Sequence, residues 1–150
     1  MDRRDKINYY LDIAETVSER GTCLRRNYGA IIVKNDQIIS TGYVGAPRGR
    51  KNCVDMGYCT REAMQVPRGE RYELCRSVHA EANAITKVAK SANNCDGSTL
   101  YVTASPCIEC AKLIIQAGIK RVVYADPYRN DDGIKLLERV GIECIQIDGV

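Results

Sequence analysis

The chain has 150 residues, of which 45% are hydrophobic and 27% charged, proportions that fit one globular domain and exclude a disordered or collagen-like chain. Its formal charge is only +3 and its basic residues fall in short, scattered runs, so it lacks the basic stripe of a nucleic-acid-binding protein and suits a small anionic substrate. Phe and Trp are absent and nine Tyr carry all the aromatic surface, which leaves a mostly aliphatic core.

From Met1 to Arg20, charges alternate with Ile7, Leu11, Ile13 and Val17, a spacing that predicts an amphipathic helix and lacks the apolar run of a signal peptide. No window has the apolar length of a membrane span, so no membrane partner and a cytoplasmic location are expected. Gly29 to Val33 and Gln37 to Tyr43 flank the polar Lys34-Asn35-Asp36, the pattern of a hairpin. From Val44 to Ser77 periodicity disappears among Gly45, Pro47, Gly49, Gly57, Pro67 and Gly69. A loop so long inside a compact domain is usually functional, so residues 1–150 are expected to form one domain with an insert at about 44–77.

His79 to Lys90 predicts a helix capped by Ser77, followed by a strand at Ser98 to Thr103. Pro106 suits the first turn of a helix from Cys107 to Ala117, with Gly118 as its stop. A strand at Arg121 to Ala125, a helix at Asp131 to Val140 and a strand at Ile142 to Ile147 complete the chain. Helices alternating with strands after an opening hairpin imply a mixed sheet covered on both faces.

Eight cysteines are many for a chain of this length, and without an export signal metal ligation or burial as free thiols is favoured over disulfides. Cys95 and Cys144 stand alone and suit packing as small apolar residues. The only histidine lies in His79-Ala80-Glu81, and Pro106-Cys107-Ile108-Glu109-Cys110 follows it. Taken singly, a helix histidine is usually an interior side chain, and a Cys-x-x-Cys is equally a redox pair or half a zinc knuckle. Together, and in this order, they are the stated signature of zinc-dependent nucleobase deaminases. One imidazole and two thiolates fill three of zinc's four positions and leave the last for water. Glu81, two residues past His79, turns away from the histidine's face and suits proton transfer rather than ligation.

These residues resemble the cytidine deaminase superfamily and, within it, the deoxycytidylate (dCMP) deaminase branch. The likeness spans nearly the whole chain: Cys23-Leu-Arg-Arg26, Gly29-Ala-Ile-Ile-Val33, Ser40-Thr-Gly-Tyr43, Gly45-Ala-Pro-Arg-Gly49, Glu73-Leu-Cys75, and Pro106 through Gly118. The resemblance implies a three-layer α/β/α sandwich around a mixed sheet of about five strands. It further implies hydrolysis of dCMP to dUMP and ammonia, zinc held by His79, Cys107 and Cys110, and Glu81 as proton shuttle. Arg26, Val44, Ala80, Ser105 and Tyr128 would face the substrate, with Arg26, Arg48, Arg50 and Lys51 as candidate phosphate cations. Members of the branch are often hexamers regulated by dCTP with magnesium and by dTTP, and the effector would lie near Gly45, Pro47, Arg48 and Gly49. Some relatives carry a second, structural zinc, for which Cys23, Cys53, Cys59 and Cys75 are the candidates.

One position departs from the branch. Where relatives carry an asparagine that helps to hold substrate, this chain has Val44, which offers no side-chain hydrogen bond. Another cytosine nucleotide, a free base or a tRNA adenosine therefore stays open as the substrate, as does a nucleotide-binding regulatory homologue without turnover.

Overall fold

Asp5 starts the first helix by accepting a hydrogen bond from the Asn8 backbone N–H at 3.1 Å, the cap of α1 (Lys6–Ser18). The computed structural model describes residues 3–67, 71, 74–127 and 130–147. After α1 the chain forms β1 (Gly29–Lys34) and β2 (Gln37–Tyr43), joined at Asn35 and Asp36, whose φ angles of 52° and 60° are both left-handed. Two such residues in a row make the tight turn whose twist matches that of the flanking strands.

Beyond β2 lie two one-turn helices, α2 (Cys53–Met56) and α3 (Thr60–Ala63), then α4 (Ala80–Ala89), β3 (Thr99–Ala104), α5 (Ile108–Ala117), β4 (Arg121–Asp126), α6 (Asp132–Arg139) and β5 (Glu143–Gln146). The strands form one sheet in the order β2-β1-β3-β4-β5. Strand β1 is antiparallel to β2 and β3, whereas β3, β4 and β5 run parallel, so the sheet is mixed as expected.

Alternation along the strands divides the core in two. Ile31, Val33, Tyr101 and Val123 pack with Tyr10, Leu11 and Ala14 of α1. Ala30, Ile32, Leu100, Val102 and Val122 point the other way, against Ala84 and Val88 of α4, Ala111 and Ile114 of α5, and Leu137 of α6. One helix on one face and three on the other give the three layers that the resemblance implied. Among the described residues, no helix is long and apolar enough to cross a membrane.

Two glycines let the second helical layer sit close. A Cβ on Gly42 of β2 would run into the Ala80 carbonyl at the start of α4, and one on Gly133 of α6 would run into the Pro106 carbonyl just before α5. Both contacts press on the residues that begin the two helices of the signature. The segment between β2 and α4 is tied down by a pair of backbone hydrogen bonds, Gly45 N–H to Val78 O at 3.2 Å and Val78 N–H to Gly45 O at 2.6 Å. Asn83 reinforces that tie by donating to the Tyr43 carbonyl at 2.8 Å and to the Val78 carbonyl at 3.3 Å.

Candidate active site and zinc centre

The signature helices begin one residue later than the sequence suggests. His79 is the N-cap of α4 and Cys107 the N-cap of α5, and neither side chain caps its helix. Ser77 is not the cap; its hydroxyl lies 3.7 Å from the Cys53 sulfur. Pro106 likewise precedes the cap instead of opening the first turn. At the N-cap the backbone of both residues is extended and lies outside the helical turns, and with neither side chain spent on capping, both ligands are free to turn toward each other.

They do so closely. His79 Nδ1 lies 3.5 Å from Cys107 Sγ and 3.4 Å from Cys110 Sγ, and the three ligand atoms all fall within 4.8 Å of one another. An imidazole nitrogen and two sulfurs at that spacing are a donor set zinc accepts, so the residues fit the ion. The thiols act as a unit. The Cys107 thiol is pulled down to about 4, first by the hydrogen bond from Cys110 and then, against burial, by His79. Cys110 is pushed up because it donates to that thiolate and is buried, while His79 is raised chiefly by Cys107. A thiolate is thus favoured where a metal needs one.

Glu81, in the first turn of α4 and only 6% exposed, lines the same cavity as His79 and Cys107. Burial raises its pKa, and the charge of His79 works in the opposite direction. It stands outside the tight donor set, consistent with proton transfer rather than ligation. Ser105, between the end of β3 and Pro106, is buried on the cavity wall with its N–H bound to the Asp126 carbonyl at 2.9 Å. The site therefore opens at the carboxyl end of a parallel strand, where ligands of open α/β sheets bind.

The cavity sorts the other candidates. Arg26 and Val44 line it, and so do Cys23, Cys53, Cys59 and Cys75. These four thiols are all described, yet among the described residues only the His79 set reaches the 4.8 Å spacing. Ala80 is fully buried beneath β2 and is not a lining residue. Gly45 is buried in its pairing with Val78, whereas Pro47, Arg48 and Gly49 are exposed and lie outside the cavity wall. Tyr128 lies outside the described residues.

Of the candidate phosphate cations only Arg26 lines the cavity; Arg48, Arg50 and Lys51 are exposed elsewhere. Arg25, Arg61 and Arg76 also line the cavity, and sequence reasoning passed over them. One signal was present: each lies one or two residues after a cysteine, in Cys23-Leu-Arg25, Cys59-Thr-Arg61 and Cys75-Arg76.

Comparison with known proteins agrees with this geometry. The family described as "Cytidine and deoxycytidylate deaminase zinc-binding region" matches residues 4–126. Deoxycytidylate deaminase of Enterobacteria phage T4 is 35% identical, over 95% of this chain and 90% of the phage protein. That of Mycobacterium phage D29 is 40% identical over 83% of this chain and 97% of its own length. Among solved structures, dCMP deaminase from the cyanophage S-TIM5 in complex with dCMP and dUMP has a TM-score of 0.80 and 36% identity, covering 97% of this chain and 100% of the other. With the His79, Cys107 and Cys110 donor set in place beside Glu81, the chain belongs to the cytidine and deoxycytidylate deaminase family.

Proposed function

We propose that this protein is a zinc-dependent hydrolase that converts dCMP to dUMP and ammonia. One observation carries the reading: the zinc donors His79 and Cys107, the buried carboxylate of Glu81 and four arginines all face one cavity. A heteroaromatic amine carrying a phosphate fits that combination, and the relatives named deoxycytidylate deaminase support it.

Held by His79, Cys107 and Cys110, zinc supplies the Lewis acidity that makes water nucleophilic near neutral pH. Glu81 does the proton work. It takes a proton from the attacking water and gives it to the ring nitrogen N3 as the oxygen bonds to C4. It then moves the remaining hydroxyl proton to the amino group, the C4–N bond breaks, and ammonia leaves a C4 carbonyl behind. A carboxyl whose pKa is raised by burial exchanges protons closer to working pH than an exposed one.

The same proposal extends to finer points. Val44 bears on which cytosine nucleotide is preferred, since its buried side chain lines the cavity without a polar atom. Ser105 and Arg26 contact substrate from the wall. Four thiols around the cavity support a second, structural zinc at Cys23, Cys53, Cys59 and Cys75. Regulation by dCTP with magnesium and by dTTP near Gly45 to Gly49 and a hexameric assembly rest on the family resemblance. A cytoplasmic location rests on the apolar patterning of the sequence, and the reading of residues 1–150 as one domain with an insert at about 44–77 on chain length and the loss of periodicity there.

The test is ammonia release from dCMP, CMP, dCTP, deoxycytidine and guanine by the zinc-loaded protein, with and without dCTP as effector. Turnover of dCMP above the others is expected; release from no cytosine compound overturns the reading. Metal analysis decides the second site, with two zinc ions per chain expected and one per fully loaded chain rejecting it.

A further inference from the structure

Val44 and His79 line one cavity from different parts of the chain, and the backbone joins them through an isolated antiparallel bridge outside the sheet, Gly45 with Val78. That bridge is one residue pair with two hydrogen bonds, and so short a pairing is marginal in water. Thr22 steadies it from one side, giving its N–H at 3.0 Å and its hydroxyl at 3.2 Å to the Val44 carbonyl.

Asn83 steadies it from the other. It lies one turn past His79, with its backbone N–H bonded to the His79 carbonyl at 2.9 Å, so its side chain leans back over the start of α4. There the amide nitrogen meets the Tyr43 carbonyl at 2.8 Å and the Val78 carbonyl at 3.3 Å. Both partners can only accept, so the amide gives one N–H to each segment of the bridge. Each of these carbonyls shares a planar peptide unit with the next residue, and those residues are Val44 and His79. One side chain therefore orients the peptide that leads into the cavity wall and the peptide that leads into a zinc donor. Asn83 itself is neither a lining residue nor a member of the donor set.

We infer that Asn83 is a positioning residue for deamination, which fixes Val44 relative to His79 and so sets where the base rests against the zinc centre. The inference rests on the deaminase reading above. Ser40 provides the contrast: it also ties β2 to α4, its buried hydroxyl donating to the Ala84 carbonyl at 2.7 Å, but neither residue lines the cavity.

Asn83→Leu keeps a side chain of similar size and removes both donors, and Ser40→Ala is the control. Hydrogen exchange of the zinc-free protein reads the bridge directly. The Gly45 and Val78 amides should exchange about tenfold faster or more in Asn83→Leu and nearly as in wild type in Ser40→Ala. In zinc-loaded protein, kcat/KM for dCMP should fall by about 10–100-fold in Asn83→Leu with KM raised, whereas Ser40→Ala should leave KM unchanged. Unchanged exchange at the bridge, faster exchange with an unchanged KM, or a KM raised equally by Ser40→Ala would make Asn83 a packing residue and overturn the inference. Should Asn83→Leu fail to fold, Asn83→Ala is read by the same criteria. If wild-type protein releases no ammonia from any cytosine compound, the deaminase reading falls. Calorimetry with dCMP then still decides the clamp, since Asn83→Leu should weaken binding and Ser40→Ala should not.

Discussion

Cys107 and Cys110 lie at the cap and in the first turn of a ten-residue helix whose far face is buried against the sheet. Cys23, Cys53, Cys59 and Cys75 face the same cavity from loops and from helices of four residues. The residue type is the same and Cys107 lines that cavity too, but among the described residues only the first pair closes on a histidine within 4.8 Å. Long elements pinned by a shared core hold ligand atoms to the tolerance a metal demands, whereas short turns stand on few contacts and leave spacing loose. Electrostatics follows the geometry: Cys107 is pulled down to about 4, while Cys75 is pushed up, mainly by burial.

Removing one of the tightly held thiols should have the largest effect. Cys110→Ala is expected to drop ammonia release to background and to lower zinc content by one ion per chain. Retention of both would mean that the pair is not a ligand pair. Glu81→Gln sharpens the contrast between holding metal and using it, because zinc should stay while turnover falls by about 10²–10⁴-fold. Loss of zinc from that variant would instead make Glu81 part of the metal site.

Alkylation compares the two sets of thiols directly. In chelator-treated protein, Cys107 should react with iodoacetamide at a rate nearly flat above about pH 5, since its thiolate is populated once the pH exceeds its lowered pKa. Cys75, whose pKa is raised, should label faster only as the pH climbs past that of an ordinary thiol. Mass spectrometry of the labelled peptides reads both rates, and identical pH profiles would erase the difference. Zinc should protect Cys107.

Gly133→Ala tests whether the helical layer sets the spacing. The new methyl would meet the Pro106 carbonyl and the Cys107 backbone, so a loss of about 1–3 kcal/mol in urea unfolding is expected, together with weaker zinc binding. Lost stability with unchanged zinc affinity would confine Gly133 to packing. The smallest effect on turnover belongs to Cys59→Ala, which should lose the proposed structural ion while ammonia release continues with the catalytic zinc retained. Release of that zinc would show the two sets to be coupled.

Much of the fold was legible along the chain because local chemistry and tertiary structure agree there. The short apolar runs of β1, β3 and β4 predict strands on their own, and the Asn35-Asp36 turn adopts the left-handed backbone its residue types tolerate. The donor set was legible for another reason: few chemistries use His-x-Glu with Pro-Cys-x-x-Cys. Which cations line the cavity was not legible: Arg48, Arg50 and Lys51 cluster after the Gly45 to Gly49 loop and lie outside its wall, and clustering along a chain carries no information about which way a loop faces. Arg61 is separated from the signature by a stretch without periodicity, and only the folding of α3 against the cavity buries it.

By itself, then, the sequence determined the layer pattern, the His79, Cys107 and Cys110 donor set and the motif that sets Glu81 beside it, since periodicity and motif spacing are short-range properties. Tertiary structure alone decided that His79 and Cys107 serve as uncapped N-caps, that Gly42 and Gly133 seat the helices they begin, and which arginines enter the cavity. Those outcomes depend on contacts between residues far apart in the chain, and the direction a side chain takes there is set by packing that no local pattern encodes.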